Sequence, residues 1–339
     1  MRIRTSKLFI NQEVEMLKSN SSISRCILFL IASVVVACVA VSVQAQSAQA
    51  YISASTGTDG GSCTLANPCR TVTYAMTQVQ QFGQVLIIDS GDYDNSVQID
   101  RSLTVAAAPG VVAVFSAATT SGTIFSIGSG PSLCNQQGVC HSLVLRGLMF
   151  DGQNITQDAV RAGGMRLTVE GCYFSRFRFG IFMNGAGSLN VKRSTFRETD
   201  QGIFIAPVGT GKTVTAIVED SNFEALRNSG FNADTNGNNT LRLSLYDSRF
   251  DRSGSIAIRS STALGGGVQF NVERCHIANS VTGVISINGS SVVRVSNSTI
   301  VNNTTGVSSA FGGVLLTRGN NTLEGNNTNG SFTGLFTAQ

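Results

Sequence analysis

Four cysteines fall into two pairs of identical spacing, Cys63 with Cys69 and Cys134 with Cys140, with five residues between them in each case. Thiols this close can oxidise to a disulfide that clamps a loop, or share a metal with further ligands. His141, beside Cys140, is the one nearby candidate for the second use, and a single imidazole does not complete a tetrahedral set. Disulfides are therefore expected, and no metal. His276 has no catalytic partner near it in sequence. Residues 209–213, Gly-Thr-Gly-Lys-Thr, imitate a phosphate loop, but the glycine which that motif needs five residues before Gly211 is Ala206. They read as a loop between strands.

The cysteine reading depends on compartment, and the first residues supply it. Arg25 precedes an apolar run from Cys26 to Val43, which ends in the small-residue pattern Val43-Gln44-Ala45. Residues 1–45 read as a secretory signal peptide, residues 46–84 as an N-terminal cap with a disulfide loop, and residues 85–339 as the main body. An uncleaved anchor and lipidation at Cys38 are the alternatives for the leader. The remainder holds 19 basic and 18 acidic residues, without a Lys/Arg cluster. That near-neutral balance lacks the footprint a phosphate backbone requires, so nucleic acid is not an expected partner, nor is a membrane beyond the signal segment. With 36 Gly, no Trp and abundant Val, Ile, Ser, Thr and Asn, the composition describes many short strands and turns.

What positions any chemistry is a motif that returns every 22 to 27 residues: 145–150, 169–174, 191–196, 218–223, 245–250, 272–277 and 295–300. It ends on Phe150, Phe174, Phe196, Phe223, Phe250, Ile277 and Ile300. A period of this length signals a solenoid whose repeats bury their apolar faces only against neighbours. Two residues before each end stands Leu148, Cys172, Ser194, Ser221, Ser248, Cys275 or Ser298, a column of small residues. Cys172 and Cys275 read as buried members of it rather than nucleophiles. Apolar residues five and seven before the end share a strand face, so inward parity changes between minus five and minus two, and a sharp turn must lie there. Gly147, Gly171, Asp220, Asp247 and Asn297 at minus three tolerate a left-handed backbone, whereas Arg193 and Arg274 do not favour it. A third strand opens with Gly180-Ile181, Gly202-Ile203, Gly230-Phe231, Gly283-Val284 and Gly306-Val307. The expected fold is all-β: a parallel β-helix solenoid with three short strands per coil, the seven terminal residues stacked inside.

In this pattern the chain resembles the right-handed parallel β-helix proteins of the pectin-lyase-like superfamily, in particular small secreted bacterial members. Residues 63–71 with the following Val-Thr-Tyr-Ala look like their opening, and residues 84–93 like their first coil. The resemblance implies an N-terminal capping helix, assigned to residues 71–81. It also implies where catalysis would sit in a member that cuts acidic polysaccharide: on the third strand and the loop feeding it. The corresponding residues are Asp158, Arg178, Asp200 and Arg227, followed by Arg252; residues 199–203 are loosely similar to a segment of polygalacturonases. A hydrolase needs two carboxyl groups, here Asp158 and Asp200, and a lyase needs a base with arginine or calcium to neutralise a sugar carboxylate. The paired Asp, Gly-His-Gly and Arg-Ile-Lys signatures of polygalacturonases are absent, and without Trp so is the Trp-Ile-Asp-His motif of common pectate lyases.

Alternating charge is also what a solvated stack of strands requires, since like charges on adjacent rungs repel. Position minus four alternates likewise, as Arg146, Glu170, Lys192 and Glu219, far from the family's usual active face. The row thus reads first as a ladder. Phe182 and Phe204, outward on neighbouring coils, are binding candidates for sugar rings or a floor beneath residues 207–213. Asn-x-Ser/Thr triplets at Asn154, Asn238, Asn297, Asn302 and Asn326 read as turn and ladder asparagines. The functional expectation is a secreted, periplasmic or cell-surface module, non-catalytic and able to bind extended polysaccharide. The rival is a divergent polysaccharide lyase or glycoside hydrolase. No cofactor is expected, calcium entering only for a lyase.

Overall fold

A computed structural model describes residues 46–337, apart from Asn95, residues 118–121, 129–140 and 154–156, Asn236 and Leu264. The expected Cys134–Cys140 bond lies outside the described residues, as does the leader. Among the described residues three wholly parallel sheets stack along one axis, with 12 strands in sheet A, 10 in sheet B and 9 in sheet C. Each coil runs from A to B to C. The coil of Met165–Glu170, Tyr173–Ser175 and Phe179–Met183 is followed by that of Gly187–Lys192, Thr195–Arg197 and Gln201–Ile205.

The seven repeat ends stack as expected. Phe150, Phe174, Phe196, Phe223, Phe250, Ile277 and Ile300 pair rung on rung, and the column continues to Phe115 at one end and Leu323 at the other. From Phe150 to Phe250 the rings lie 4.4 to 4.8 Å apart and parallel within 7°. The stack also explains the glycines that open the third strand. A Cβ on Gly180 would meet the Phe196 ring at 2.6 Å, and one on Gly230 would meet the Phe250 ring at 2.4 Å. These glycines exist because the column of rings fills the space a side chain would need.

The turn between sheets A and B sits at position minus three. Gly147, Gly171, Arg193, Asp220, Asp247, Arg274 and Asn297 all have φ between 48° and 66°. Arg193 and Arg274 therefore adopt the conformation their type disfavours. Arg274 gains a bidentate pairing to Asp247 one coil back, Nε to Oδ1 at 2.8 Å and Nη2 to Oδ2 at 2.9 Å, and Arg193 pairs with Glu170. The small column follows from hydrogen bonding at this corner, where the ladder is interrupted. The Ser194 amide donates to Ser221 Oγ at 3.2 Å and the Ser221 amide to Ser248 Oγ at 3.1 Å, while each of these hydroxyls donates to the carbonyl two residues before it. Buried amides at the corner are thus satisfied by a hydroxyl from the next coil.

The amino-terminal end is closed by the helix Val72–Gln78, shorter than expected, with the Thr71 hydroxyl accepting from the Tyr74 amide as its N-cap. Val72, Ala75 and Met76 enter the core. The chain leaves the helix at Val79 because Val79–Ile87 pairs with Ser47–Ile52, the first rung of sheet A, and a β-branched residue with a ladder partner favours strand. A cap at this end shields strand edges that would otherwise template aggregation. Cys63 and Cys69 are disulfide-bonded. Cys172 and Cys275 are buried thiols, whose pKa burial pushes up to about 12, so neither is a nucleophile near neutrality.

Candidate functional site

Sheet C carries two outward rows. Asp158, Phe179, Gln201, Ser229 and Ile256 form one; Arg161, Phe182, Phe204, Asn232 and Arg259 form the other. The residues between them face inward, where Ala159, Gly180, Gly202 and Gly230 pack against the aromatic column and Val160, Ile181, Ile203 and Phe231 fill the core. Successive rungs of a parallel sheet are about 4.8 Å apart, so each row offers one side chain at that interval along the axis.

The Asp158 carboxylate is 1% exposed and accepts four hydrogen bonds from two guanidinium groups. Arg161 donates through Nε at 3.0 Å and Nη2 at 2.6 Å, and Arg178 through Nε at 3.0 Å and Nη2 at 3.1 Å. Arg161 lies over the Phe182 ring at 5.2 Å, and Arg178 over Phe179 at 4.7 Å. Two forks enclosing one carboxylate leave it without the access that a general base or nucleophile needs. Arg161 went unnoticed in the sequence, although its place three residues after Asp158 on one strand was a usable signal.

Phe182 and Phe204 are opposite each other, with centroids 5.2 Å apart and planes within 9°. Phe179 tilts against both at 5.1 Å. Each ring of this offset stack covers part of its neighbour's face, so the cluster presents edges and partial faces rather than two broad platforms.

Arg178, Asp200 and Arg227 occupy equivalent places at the corner entering sheet C on successive coils. The Asp200 amide donates to Phe177 O at 2.7 Å, and the Arg227 amide to Thr199 O at 2.9 Å. Asp158 is joined to Arg178, whereas Asp200 is two coils from Asp158, half-buried at the corner rather than on the strand. Gly254, not Arg252, stands opposite Arg227, its amide donating to Leu226 O at 2.8 Å. Arg252 lies two residues earlier, in the left-handed turn between sheets B and C, paired with Glu224 at 3.1 Å and Asp251 at 3.4 Å. His276 is exposed on sheet B between Arg249 and Thr299. Among the described residues, no group of three or more His, Cys, Asp or Glu could hold a metal ion.

The corner between sheets B and C also bears a groove of about 640 Å³ that sequence reasoning missed. Its walls are Arg252, Asn279, Val281, Asn302, Thr304 and Asn327, drawn from four consecutive coils. One wall is the left-handed turn position, Arg252, Asn279 and Asn302 with φ of 56° to 57°, and the other is the residue just before each sheet C strand. The floor is a polar ladder: the Ser253 amide donates to Ser280 Oγ at 3.1 Å, the Ser280 amide to Asn303 Oδ1 at 2.9 Å, and the Asn303 amide to Asn326 Oδ1 at 2.9 Å. The ladder satisfies these floor amides, Asn279 Nδ2 donates to Asp251 Oδ1 at 2.7 Å, and the polar side chains of the walls are the groove's recognition groups.

Residues 180–338 match the family described as right handed beta helix region. With three parallel sheets visited in constant order, the chain is a right-handed parallel β-helix repeat protein, the fold that its resemblance implied. No curated protein matches the sequence. Among solved structures, the crystal structure of pectate lyase Pel9A is similar at 15% sequence identity, over 86% of this chain and 78% of that one, with a TM-score of 0.41. A likeness that loose says nothing about chemistry.

Proposed function

We propose that the protein is a non-catalytic β-helix module of the cell surface or envelope that binds extended polysaccharide along the outer face of sheet C and the groove beside it. The observation that carries this reading is the contrast between the closed Asp158 carboxylate and the open groove over four coils. Amide and hydroxyl groups repeating at the rung interval suit a ligand that is itself a repeating chain of hydroxyls. Upstream along the same sheet, the Phe179, Phe182 and Phe204 edges with Arg161 extend the surface. The bonded Cys63–Cys69 pair and the apolar leader support a place outside the cytoplasm.

The test is retention of purified protein by neutral and acidic polysaccharides in affinity gels. Parallel assays, with and without calcium, follow the absorbance of unsaturated product and the appearance of reducing ends. Retention without product is expected, weakened by Asn279→Ala with Asn302→Ala in the groove. Turnover of any acidic polysaccharide that is abolished by Asp200→Asn or Arg227→Ala would establish the lyase or hydrolase reading in its place.

A further inference from the structure

A second cavity, of about 220 Å³, opens on the outer face of sheet A near its carboxyl-terminal end, away from the sheet C surface. Strand register builds it. Tyr246, Glu273 and Ser296 stand on three successive rungs of one outward row, and Asn271 and Arg294 are opposite each other in the next. Arg318 and Phe336 complete the lining from the final coil.

The charges of this cavity do not balance locally. Most described arginines have a carboxylate on the same or the neighbouring coil, but among the described residues neither Arg294 nor Arg318 forms an ion pair. Both are nonetheless held in place by neutral groups. Arg294 Nη1 donates to Gln269 Oε1 at 2.6 Å, and the Arg318 guanidinium lies over the Phe336 ring at 5.4 Å. The one carboxylate in the lining, Glu273, is already engaged: its Oε1 accepts from Arg274 Nη1 at 3.0 Å and from Asn297 Nδ2 at 3.3 Å. Arg274 is itself shared with Asp247, so three arginines, Arg274, Arg294 and Arg318, stand against two carboxylates, Asp247 and Glu273, and a positive potential remains beside the two positioned guanidinium groups.

We propose that this cavity binds a small organic oxyanion carried on a single ring. The guanidinium forks of Arg294 and Arg318 would take the oxyanion, the arrangement for which arginine is better suited than lysine. Tyr246 and Phe336 supply the apolar walls for the ring, and the Asn271 amide a donor and acceptor at its edge. The volume limits the occupant to about one ring, so an extended chain would enter only by its end.

The oxyanion and the ring are the shared chemistry, and an aromatic or a sugar body are its two sources. Calorimetric titration of the purified full chain with benzoate and glucuronate, each against its neutral counterpart benzamide or glucose, separates them. At least one acid is expected to bind, in a salt-sensitive manner, while its neutral counterpart does not; the acid that binds identifies the body. Arg294→Gln and Arg318→Gln should each weaken that binding about tenfold or more, as loss of a charge-assisted hydrogen bond does. Neither substitution should shift the thermal midpoint, which shows that the fold persists. Failure of both acids to bind, equal binding of an acid and its neutral counterpart, or full affinity in both variants would overturn the proposal.

Discussion

The inside of sheet B and the outside of sheet C are built on the same rung spacing and obey opposite rules. Inside, one kind of residue repeats: ring upon ring from Phe115 through Phe250, then Ile277, Ile300 and Leu323. Outside, charged residues have unlike neighbours: Asp158 lies beside Arg178 and Phe179, and Arg161 beside Phe182. Identical apolar side chains gain by stacking because each excludes water from the next, whereas identical charges at under 5 Å repel. The inner column is therefore uniform and the outer face mixed. Only the outer face has freedom to acquire a ligand.

The largest expected effect lies in the column. Phe223→Ala removes a fully buried ring from between two others and should cost about 3 to 5 kcal/mol, read as a lower denaturant midpoint with an unchanged slope. A cost below about 1 kcal/mol would mean that the column closes over the gap, and the inside would be as permissive as the outside.

Asp158 is the outer residue that behaves most like an inner one. Asp158→Ala would leave Arg161 and Arg178 facing each other without their shared carboxylate. Because their side chains are 37% and 42% exposed, water takes up part of the loss, and about 2 kcal/mol is expected rather than the full cost of a buried orphan. A stability change near zero would demote the cluster to an ordinary surface ladder.

Gly230→Ala tests how tightly the two regions are coupled, since its Cβ would press on the Phe250 ring at 2.4 Å and on Ala257 O at 2.7 Å. A destabilisation of about 1 to 3 kcal/mol is expected, from overpacking. The same change should move Phe250 within the column, which ring-proton chemical shifts would report.

Smallest is the effect of the exposed corner pairs. Arg274 holds the Asp247 carboxyl below its ordinary value, chiefly through their side-chain hydrogen bonds. A depressed carboxylate stabilises the fold fully above its unfolded pKa and loses that contribution as pH falls through the folded value. Arg274→Ala should therefore lower the thermal midpoint slightly at neutral pH and not at all in acid below the aspartate range, and added salt should shrink the difference. Asp200→Asn should likewise leave the midpoint within experimental scatter. A difference for Arg274→Ala that persisted in acid would assign its cost to the left-handed backbone instead.

Cys172 and Cys275 show why the fold could be read in advance. In a coil, residues one repeat apart in sequence are neighbours in space, so a structural demand at one position is written again at each repeat. The corner hydroxyls, the left-handed residues at minus three and the Phe column were legible for that reason. The two cysteines are recognisable as members of the serine column because their flanking repeats say what the position requires.

By itself, then, the sequence determined the three-strand coil, its register through seven repeats and the inward and outward faces, which follow from period and parity, and the Cys63–Cys69 bond, which follows from the close spacing of the two thiols. Only the tertiary structure decided which outer groups meet. Coils beginning at Phe223 and Phe250 carry one extra residue at the corner entering sheet C, where the amides of Asn228 and Ser229 both donate to Asp200 O, and those of Ser255 and Ile256 both to Asn228 O. The extra residue falls after the position in line with Arg227: Gly254, four residues past Phe250 as Arg227 is past Phe223, occupies that place, while Arg252, two past Phe250, lies in the left-handed turn on the groove wall. Likewise the choice of Arg161 and Arg178 as the partners of Asp158, the offset stacking of Phe182 on Phe204 and the ion-pair-free state of Arg294 and Arg318 depend on rotamers of long or flat side chains. Such side chains reach across rungs and rows alike, so spacing fixes their starting point and packing alone fixes their ends.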